Sequence, residues 1–313
     1  MKRDSSLSVF LKNCIVSHRI RGFGKSDSSI FAIERALKSE IKFIEVDTRH
    51  TLDNEIVIFH DPFLGEITTG SGFIKDKTLK ELKREKLIGD NIPIATLDEV
   101  LTLFSQSESN ATLCIDIKDP GLIKKYCEYV KYHGLEENVI FISWIPENLT
   151  EIYEILPKIP LFFSYIPIKR WYNPFLTILN FIKNFLVIFK SMVALTGSFR
   201  LLRLETLLLF IDSYCEPIKH YSEKGWNYVH LISGLPSKNL SKILIESGGG
   251  ICVPYQIINK KFIEEAHSEG LKVWVFTINN IGILIEYILK IKPDVIFSDN
   301  AKEIIELTIE NGF

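Results

Sequence analysis

Seven side chains suited to acid–base, metal or anion chemistry stand at the ends of short apolar runs before residue 120. The first run ends Ser17-His18-Arg19. The run FIEVD places Glu45 and Asp47 two apart, hence on one face if it is a strand. A further run ends His60-Asp61-Pro62, and LCIDIKDP places Asp116 and Lys118 two apart again. Three adjacent carboxylates repel one another unless a cation neutralises them. Their hard oxygens suit Mg²⁺ or Ca²⁺. Arg19 and Lys118 offer positive charge to an anion, and an arginine can hold two phosphate oxygens at once. Two histidines can divide the general-base and general-acid roles near neutral pH, and the sequence leaves open which does which. Taken together the set describes a phosphoryl-transfer site. Each residue alone has an ordinary structural reading: a hydrogen-bonded strand-end histidine, a chance Glu-x-Asp, a solvated lysine, a capping aspartate. Their joint order gives the set its weight.

Such a set needs a frame that brings strand ends to one place. Strand-like runs are expected at 14–17, 43–48, 112–117, 139–143, 161–165, 228–232, 251–254, 272–277 and 294–298. Most are continuously apolar, as parallel strands covered by helices are. Helical patterns lie between them at 30–39, 78–86, 97–104, 122–133, 149–156, 237–247, 260–269, 281–290 and 302–309. This alternation predicts a parallel α/β fold, whose closed version is the eight-stranded (β/α)8 TIM barrel. The C-terminal strand ends of such a barrel converge on one mouth. Nine strand candidates compete for eight places. The stretch 56–59 follows the turn Leu52-Asp53-Asn54-Glu55 and reads as a hairpin arm on the second strand.

The chain has 313 residues, 46% hydrophobic and 24% charged, enough for a large core and incompatible with global disorder. Lys+Arg 37 against Asp+Glu 39, net −2, argues against a nucleic-acid surface. Cys14, Cys114, Cys127, Cys215 and Cys252 are scattered, without a CxxC, and read as reduced thiols. The N-terminus lacks a signal-peptide pattern, so a cytoplasmic protein is expected.

One stretch departs from the rest. Between 166 and 211 the chain is largely apolar, with Lys169, Arg170, Lys183, Lys190, Arg200 and Arg203 set against Glu205 alone. As a helix, 174–195 has a narrow polar arc and a wide apolar one. That pattern suits an interfacial helix in peripheral contact with membranes, or a helix packed on the barrel. The two lysines in mid-segment oppose a bilayer span. The expected organisation is one barrel domain over 1–313, carrying an apolar insertion after the fifth strand at about 166–248.

The motifs together resemble the glycerophosphodiester phosphodiesterase family, a TIM-barrel family akin to the phospholipase-C-like phosphodiesterases. HRIRGFGKSDSSIFAIERAL stands where the family has an HRG strand end, a PENT-like turn and a helix. FIEVDTRHTLDNEIVIFHDP matches its E-x-D strand, D-G turn and HD arm, and CIDIK its E-x-K strand. Near the C-terminus GLKVWVFTIN and KPDVIFSDNAKEI resemble its last two strands. The likeness covers roughly 13–160 and 250–307. It implies metal-dependent hydrolysis of a glycerophosphodiester, a small-molecule substrate, to sn-glycerol 3-phosphate and an alcohol. It implies His18 and His60 as the acid–base pair, and Glu45, Asp47 and Asp116 as ligands of Mg²⁺ or Ca²⁺. Arg19 and Lys118 would contact the phosphate. Trp274, two residues before the place of the family's strand-seven tryptophan, would line the glycerol side.

Three departures bear on activity. Ile20 stands where the family has glycine and is expected to crowd the backbone. Ser26-Asp27-Ser28-Ser29 replaces the PENT-like turn. Asp116 is one methylene shorter than the family's glutamate. These keep two other readings open: a barrel that binds phosphorylated ligands with weakened turnover, and a phospholipase-D-like activity on lysophospholipids.

Overall fold

A computed structural model describes residues 13–65, 67–168 and 230–310. The segment 174–195 and most of the expected insertion lie outside the described residues.

Eight parallel strands close into a barrel. They are β1 (Ile15–Ser17), β2 (Phe43–His50), β6 (Thr112–Ile117), β7 (Val139–Ser143), β8 (Leu161–Ser164), β11 (Gly250–Pro254), β12 (Lys272–Phe276) and β13 (Val295–Ser298). Strand β1 pairs with both β13 and β2, which closes the ring. The arm β3 (Ile56–Ile58) lies antiparallel on β2, with Thr48 opposite Ile58 and His50 opposite Ile56. A small hairpin, β4 (Phe63–Leu64) with β5 (Gly72–Phe73), follows it. The ninth strand candidate falls outside the ring. Leu231–Ser233 (β10) instead pairs in parallel with Ile166–Ile168 (β9) in a separate two-stranded sheet, and Gly250–Pro254 is the sixth barrel strand.

Helices α1 (Ile30–Leu37), α2 (Leu79–Leu82), α3 (Leu97–Gln106), α4 (Ile123–Tyr132) and α5 (Pro146–Ile155) accompany the first half. Helices α6 (Lys238–Glu246), α7 (Lys260–Ser268), α8 (Ile281–Lys290) and α9 (Ala301–Glu310) accompany the second. Local chemistry sets their starts. Thr78 with Glu81, and Thr96 with Glu99, form capping boxes at α2 and α3. Helix α6 packs against β8, β11 and α5, the place of an ordinary crossover helix. Among the described residues no helix is long and apolar enough to cross a membrane.

The strands read as continuous apolar runs because both their faces are buried. Outward residues such as Ile44, Leu113, Ile115 and Val273 pack under the helices. Inward residues form a separate plug: Val16, Cys114, Ile140, Ile142, Phe162, Cys252, Trp274, Val295 and Phe297. Each apolar side chain buried this way stabilises the fold by about 1.5–3 kcal/mol. Trp274 belongs to this plug. Its ring lies 4.1 Å from that of Phe162, 5.4 Å from Phe43 and 5.8 Å from Phe297, centroid to centroid. Phe43 opens β2, so Trp274 packs toward the floor of the barrel rather than its mouth.

Candidate active site

Period-two alternation on β2 carries Glu45, Asp47 and Arg49 along one face toward the C-terminal end. The register places Asp47 beside Asp116 of β6. One oxygen from each of Glu45, Asp47 and Asp116 lies within 4.8 Å of the other two, and all three residues are buried. The shorter Asp116 therefore still reaches the cluster.

Two cations meet these carboxylates. The Arg19 backbone N–H donates to Glu45 Oε2 at 2.8 Å, and Arg19 Nε lies 3.3 Å from Asp47 Oδ2. Lys118 Nζ donates to Asp116 Oδ2 and lies 2.8 Å from Asp47 Oδ1. Both oxygens of Asp47 and Oδ1 of Asp116 are nevertheless buried without a hydrogen bond. Asp116 Oδ1, buried without a hydrogen bond, calls for a partner. Three hard carboxylate oxygens this close together fit a divalent cation such as Mg²⁺ or Ca²⁺. Electrostatics agree with that fit. Burial, then Asp47 beside it, pushes the Glu45 carboxyl well above the usual range, against Lys118. Burial raises Asp116 too, in spite of Lys118. For Asp47 burial works upward, but Lys118, His60 and Arg19 outweigh it and hold it low. Lys118, though buried, is held protonated by Asp116, Asp47 and Glu45.

Both histidines are held by carboxylates. His18 Nδ1 lies 2.7 Å from Asp299 Oδ1, and His60 Nδ1 lies 2.7 Å from Asp61 Oδ1. A carboxylate at Nδ1 favours the Nδ1–H tautomer and leaves Nε2 as the proton acceptor. Burial lowers the affinity of His18 for a proton more than Asp299 restores it. Burial, helped by Arg19, lowers His60 to about 3 against Asp47 and Asp61. Burial thus favours the neutral form of both rings.

All seven strand-end residues of the expected site thus converge at one mouth, and Trp274 does not. Phe276, two residues further along β12, packs its ring 5.9 Å from Trp144, which follows β7. In the 26–29 turn Asp27 forms an ion pair with Arg21. Arg21 Nη2 lies 2.7 Å from Asp27 Oδ2, while its Nη1 lies 3.1 Å from Asp299 Oδ2. Asn279 Nδ2 donates to the same Asp299 oxygen at 2.7 Å. Ile20 adopts a left-handed backbone, φ 55, with its side chain fully buried in the outer core. Sequence reasoning missed Asp299, Arg21, Asn279, Arg49 and Asp119. Asp299 had a signal in the strand-end SDN motif, whereas Arg49 and Asp119 belonged to no motif.

Closed parallel barrel, convergent carboxylates, paired cations and two oriented histidines define the class: an α/β-barrel phosphodiesterase. The chain belongs to the glycerophosphoryl diester phosphodiesterase family, whose model matches residues 18–183. It is 30% identical over 177 residues to a glycerophosphodiester phosphodiesterase of Caldanaerobacter subterraneus, an alignment covering 52% of this chain and 71% of that relative. It is 30% identical over 160 residues to one of Bacillus altitudinis, covering 47% of this chain and 64% of the relative. Among solved structures, an Oleispira antarctica phosphodiesterase in complex with the product sn-glycerol-3-phosphate superposes with a TM-score of 0.63. That match has 18% identity and covers 95% of this chain and 96% of the other. A glycerophosphodiester phosphodiesterase from Parabacteroides distasonis gives 0.61 at 18% identity, covering 96% and 98%. At such identities the likeness to solved structures is one of fold.

Proposed function

We propose that the protein hydrolyses glycerophosphodiesters to sn-glycerol 3-phosphate and an alcohol. The observation that carries this reading is the pair of carboxylate-held histidines beside three buried, converging carboxylates. Glu45, Asp47 and Asp116 would hold a divalent ion, which when bound supplies positive charge to the phosphoryl oxygens. Arg19 and Lys118 bind and orient the phosphate. One histidine accepts a proton at Nε2 from the attacking oxygen, of water or of a substrate hydroxyl, as a new P–O bond forms; where the hydroxyl attacks, the cyclic phosphate formed is then opened by water to glycerol 3-phosphate. The other donates a proton to the departing alkoxide as the old P–O bond breaks. The histidine that acts as acid must gain its proton first, and the phosphate's negative charge raises its affinity for one.

The test follows release of glycerol 3-phosphate from sn-glycero-3-phosphocholine. His18→Ala and His60→Ala should each cost on the order of 10² or more in kcat, since a positioned acid or base contributes typically ~10²–10⁴. Near-normal turnover in either folded variant removes that residue from the mechanism. No release by folded, metal-supplied protein would favour the reading in which the barrel binds phosphorylated ligands without turnover. Faster cleavage of a lysophospholipid, to lysophosphatidate and its head-group alcohol, than of the soluble diester would favour the phospholipase-D-like reading.

A further inference from the structure

We infer that Arg49 is the positioning residue of His60, acting as a buried strut between the His60 peptide and Asp119. This rests on the role proposed for His60. Arg49 is 1% exposed and is the largest of the fully buried side chains among the described residues. It continues the face of Glu45 and Asp47 one step further along β2. Its charge helps to lower the Asp116 carboxyl against burial, and its fork also grips the arm that carries His60. Nε and Nη2 both donate to the His60 carbonyl, at 3.0 and 2.9 Å. Nη1 donates to Asp119 Oδ1 at 2.6 Å.

Asp119 is itself pinned from three directions. Its Oδ2 accepts the His50 backbone N–H at 2.8 Å, and its carbonyl accepts Asn148 Nδ2 at 3.0 Å. It follows Lys118 directly, at the C-terminal end of β6. The strut therefore ties the arm that carries His60 to the two strands that carry Asp47, Asp116 and Lys118. Without it the arm is held near the site by Phe59 N donating to the Asp47 carbonyl at 2.9 Å, one residue short of the histidine.

The physical argument is one of magnitude. A buried ion pair is a weak source of stability, because desolvation of both charges offsets most of their attraction. Apolar residues of similar size would serve the fold as well. What an apolar side chain cannot do is grip one carbonyl with two N–H groups and a carboxylate with a third. The planar fork of arginine fixes an angle as well as a distance. The carbonyl so gripped belongs to the residue whose ring must meet the phosphate. Imidazole Nε2 sits several bonds from that peptide, so a small rotation of the backbone displaces it enough to slow proton transfer.

The experiment is a double-mutant cycle on the metal-supplied full chain. Arg49→Met keeps the stem and removes the fork; Arg49→Lys keeps the charge; Asp119→Asn keeps the shape of the far anchor. Each is placed in the wild-type and in the His60→Ala background. Arg49→Met should lower kcat by roughly 10–100-fold, the usual effect of removing a partner that orients a reacting group, with KM unchanged. Arg49→Lys should recover part of the loss. The metal-induced rise in melting temperature should be the same in all. In the His60→Ala background Arg49→Met should have no further effect on kcat. Equal losses in both backgrounds, wild-type kcat in Arg49→Met, or failure of all three Arg49 and Asp119 variants to fold would overturn the inference in favour of a purely structural pair. A normal kcat in His60→Ala alone would instead overturn the catalytic reading on which the inference stands.

Discussion

His18 Nδ1 lies 2.7 Å from Asp299 Oδ1 although 281 residues separate them in the chain. Barrel closure makes the contact. Ser17 and Ser298 are register partners on β1 and β13, so the residue after each arrives beside the other. Asp299 is in turn held by Arg21 and Asn279. The carboxylate accepts from Nδ1 and so leaves Nε2 as the acceptor.

Asp299→Asn should therefore act through the tautomer. An asparagine can donate to Nδ1, which moves the ring proton to Nε2 and removes the acceptor. We expect kcat to fall on the order of 10²-fold, within the range a positioned base contributes. The melting temperature should change little. Steady-state kinetics with a parallel melting curve measure this, and a kcat within error of wild type would show that Asp299 does not orient His18.

Glu45→Gln separates metal binding from stability. Glu45 is buried and held well above the usual carboxyl range by burial and by Asp47. A neutral amide of the same shape relieves that repulsion and can still accept from the Arg19 N–H. In EDTA the variant should melt at or above the wild-type temperature. On adding Mg²⁺ or Ca²⁺ the wild type should gain melting temperature and activity, and Glu45→Gln should gain neither. A full metal response in the variant would remove Glu45 from the ligand set.

Ile20 offers a test of backbone strain. A left-handed β-branched residue costs roughly 1–2 kcal/mol, while truncating a buried isoleucine to alanine costs about 2–5 kcal/mol. Burial wins, so Ile20→Ala and Ile20→Gly should both destabilise. Glycine adopts φ 55 without strain and alanine does not. Ile20→Gly should therefore be more stable than Ile20→Ala by about 1 kcal/mol, the reverse of the usual order. Urea denaturation of the two variants decides; alanine above glycine would mean the backbone there carries no strain.

His50 predicts an acid-side loss of stability. Burial holds its folded-state pKa down at about 4 from 6.5, with Arg49 and Lys125 adding to burial and Asp119 opposing. Between those values the unfolded chain binds more protons than the folded one, so stability falls as pH falls from 6.5 towards 4 and is complete above 6.5. The contribution is on the order of 3 kcal/mol at most. His50→Gln retains a donor and an acceptor for the Tyr126 hydroxyl, to which His50 Nε2 is bonded at 3.2 Å. The variant should lose stability less steeply over this window in urea titrations at stepped pH. Identical slopes would show that the His50 ring does not resist protonation.

The sequence by itself determined what local order encodes. Period-two spacing put Glu45 with Asp47, and Asp116 with Lys118, on shared faces, because alternation along a strand needs no knowledge of the fold. Runs apolar on both faces announced a parallel barrel. The Asp53-Asn54 turn announced the β3 arm. Only the tertiary structure could decide the rest. Which of nine strand candidates closed the ring depended on pairing: β11 lies in register with β8 and β12, and β10 does not. Trp274 and Phe276 share a face of β12, and only their depth in the barrel separates a plug residue from one near the mouth. Asp299 met His18 because the last strand returned to the first. Arg49 and Asp119 meet in the interior, and one-dimensional order does not reveal that two chain segments will exclude water between them. Burial and closure are properties of the assembled barrel, and the contacts they create orient the reactive groups that local spacing had already brought to its mouth.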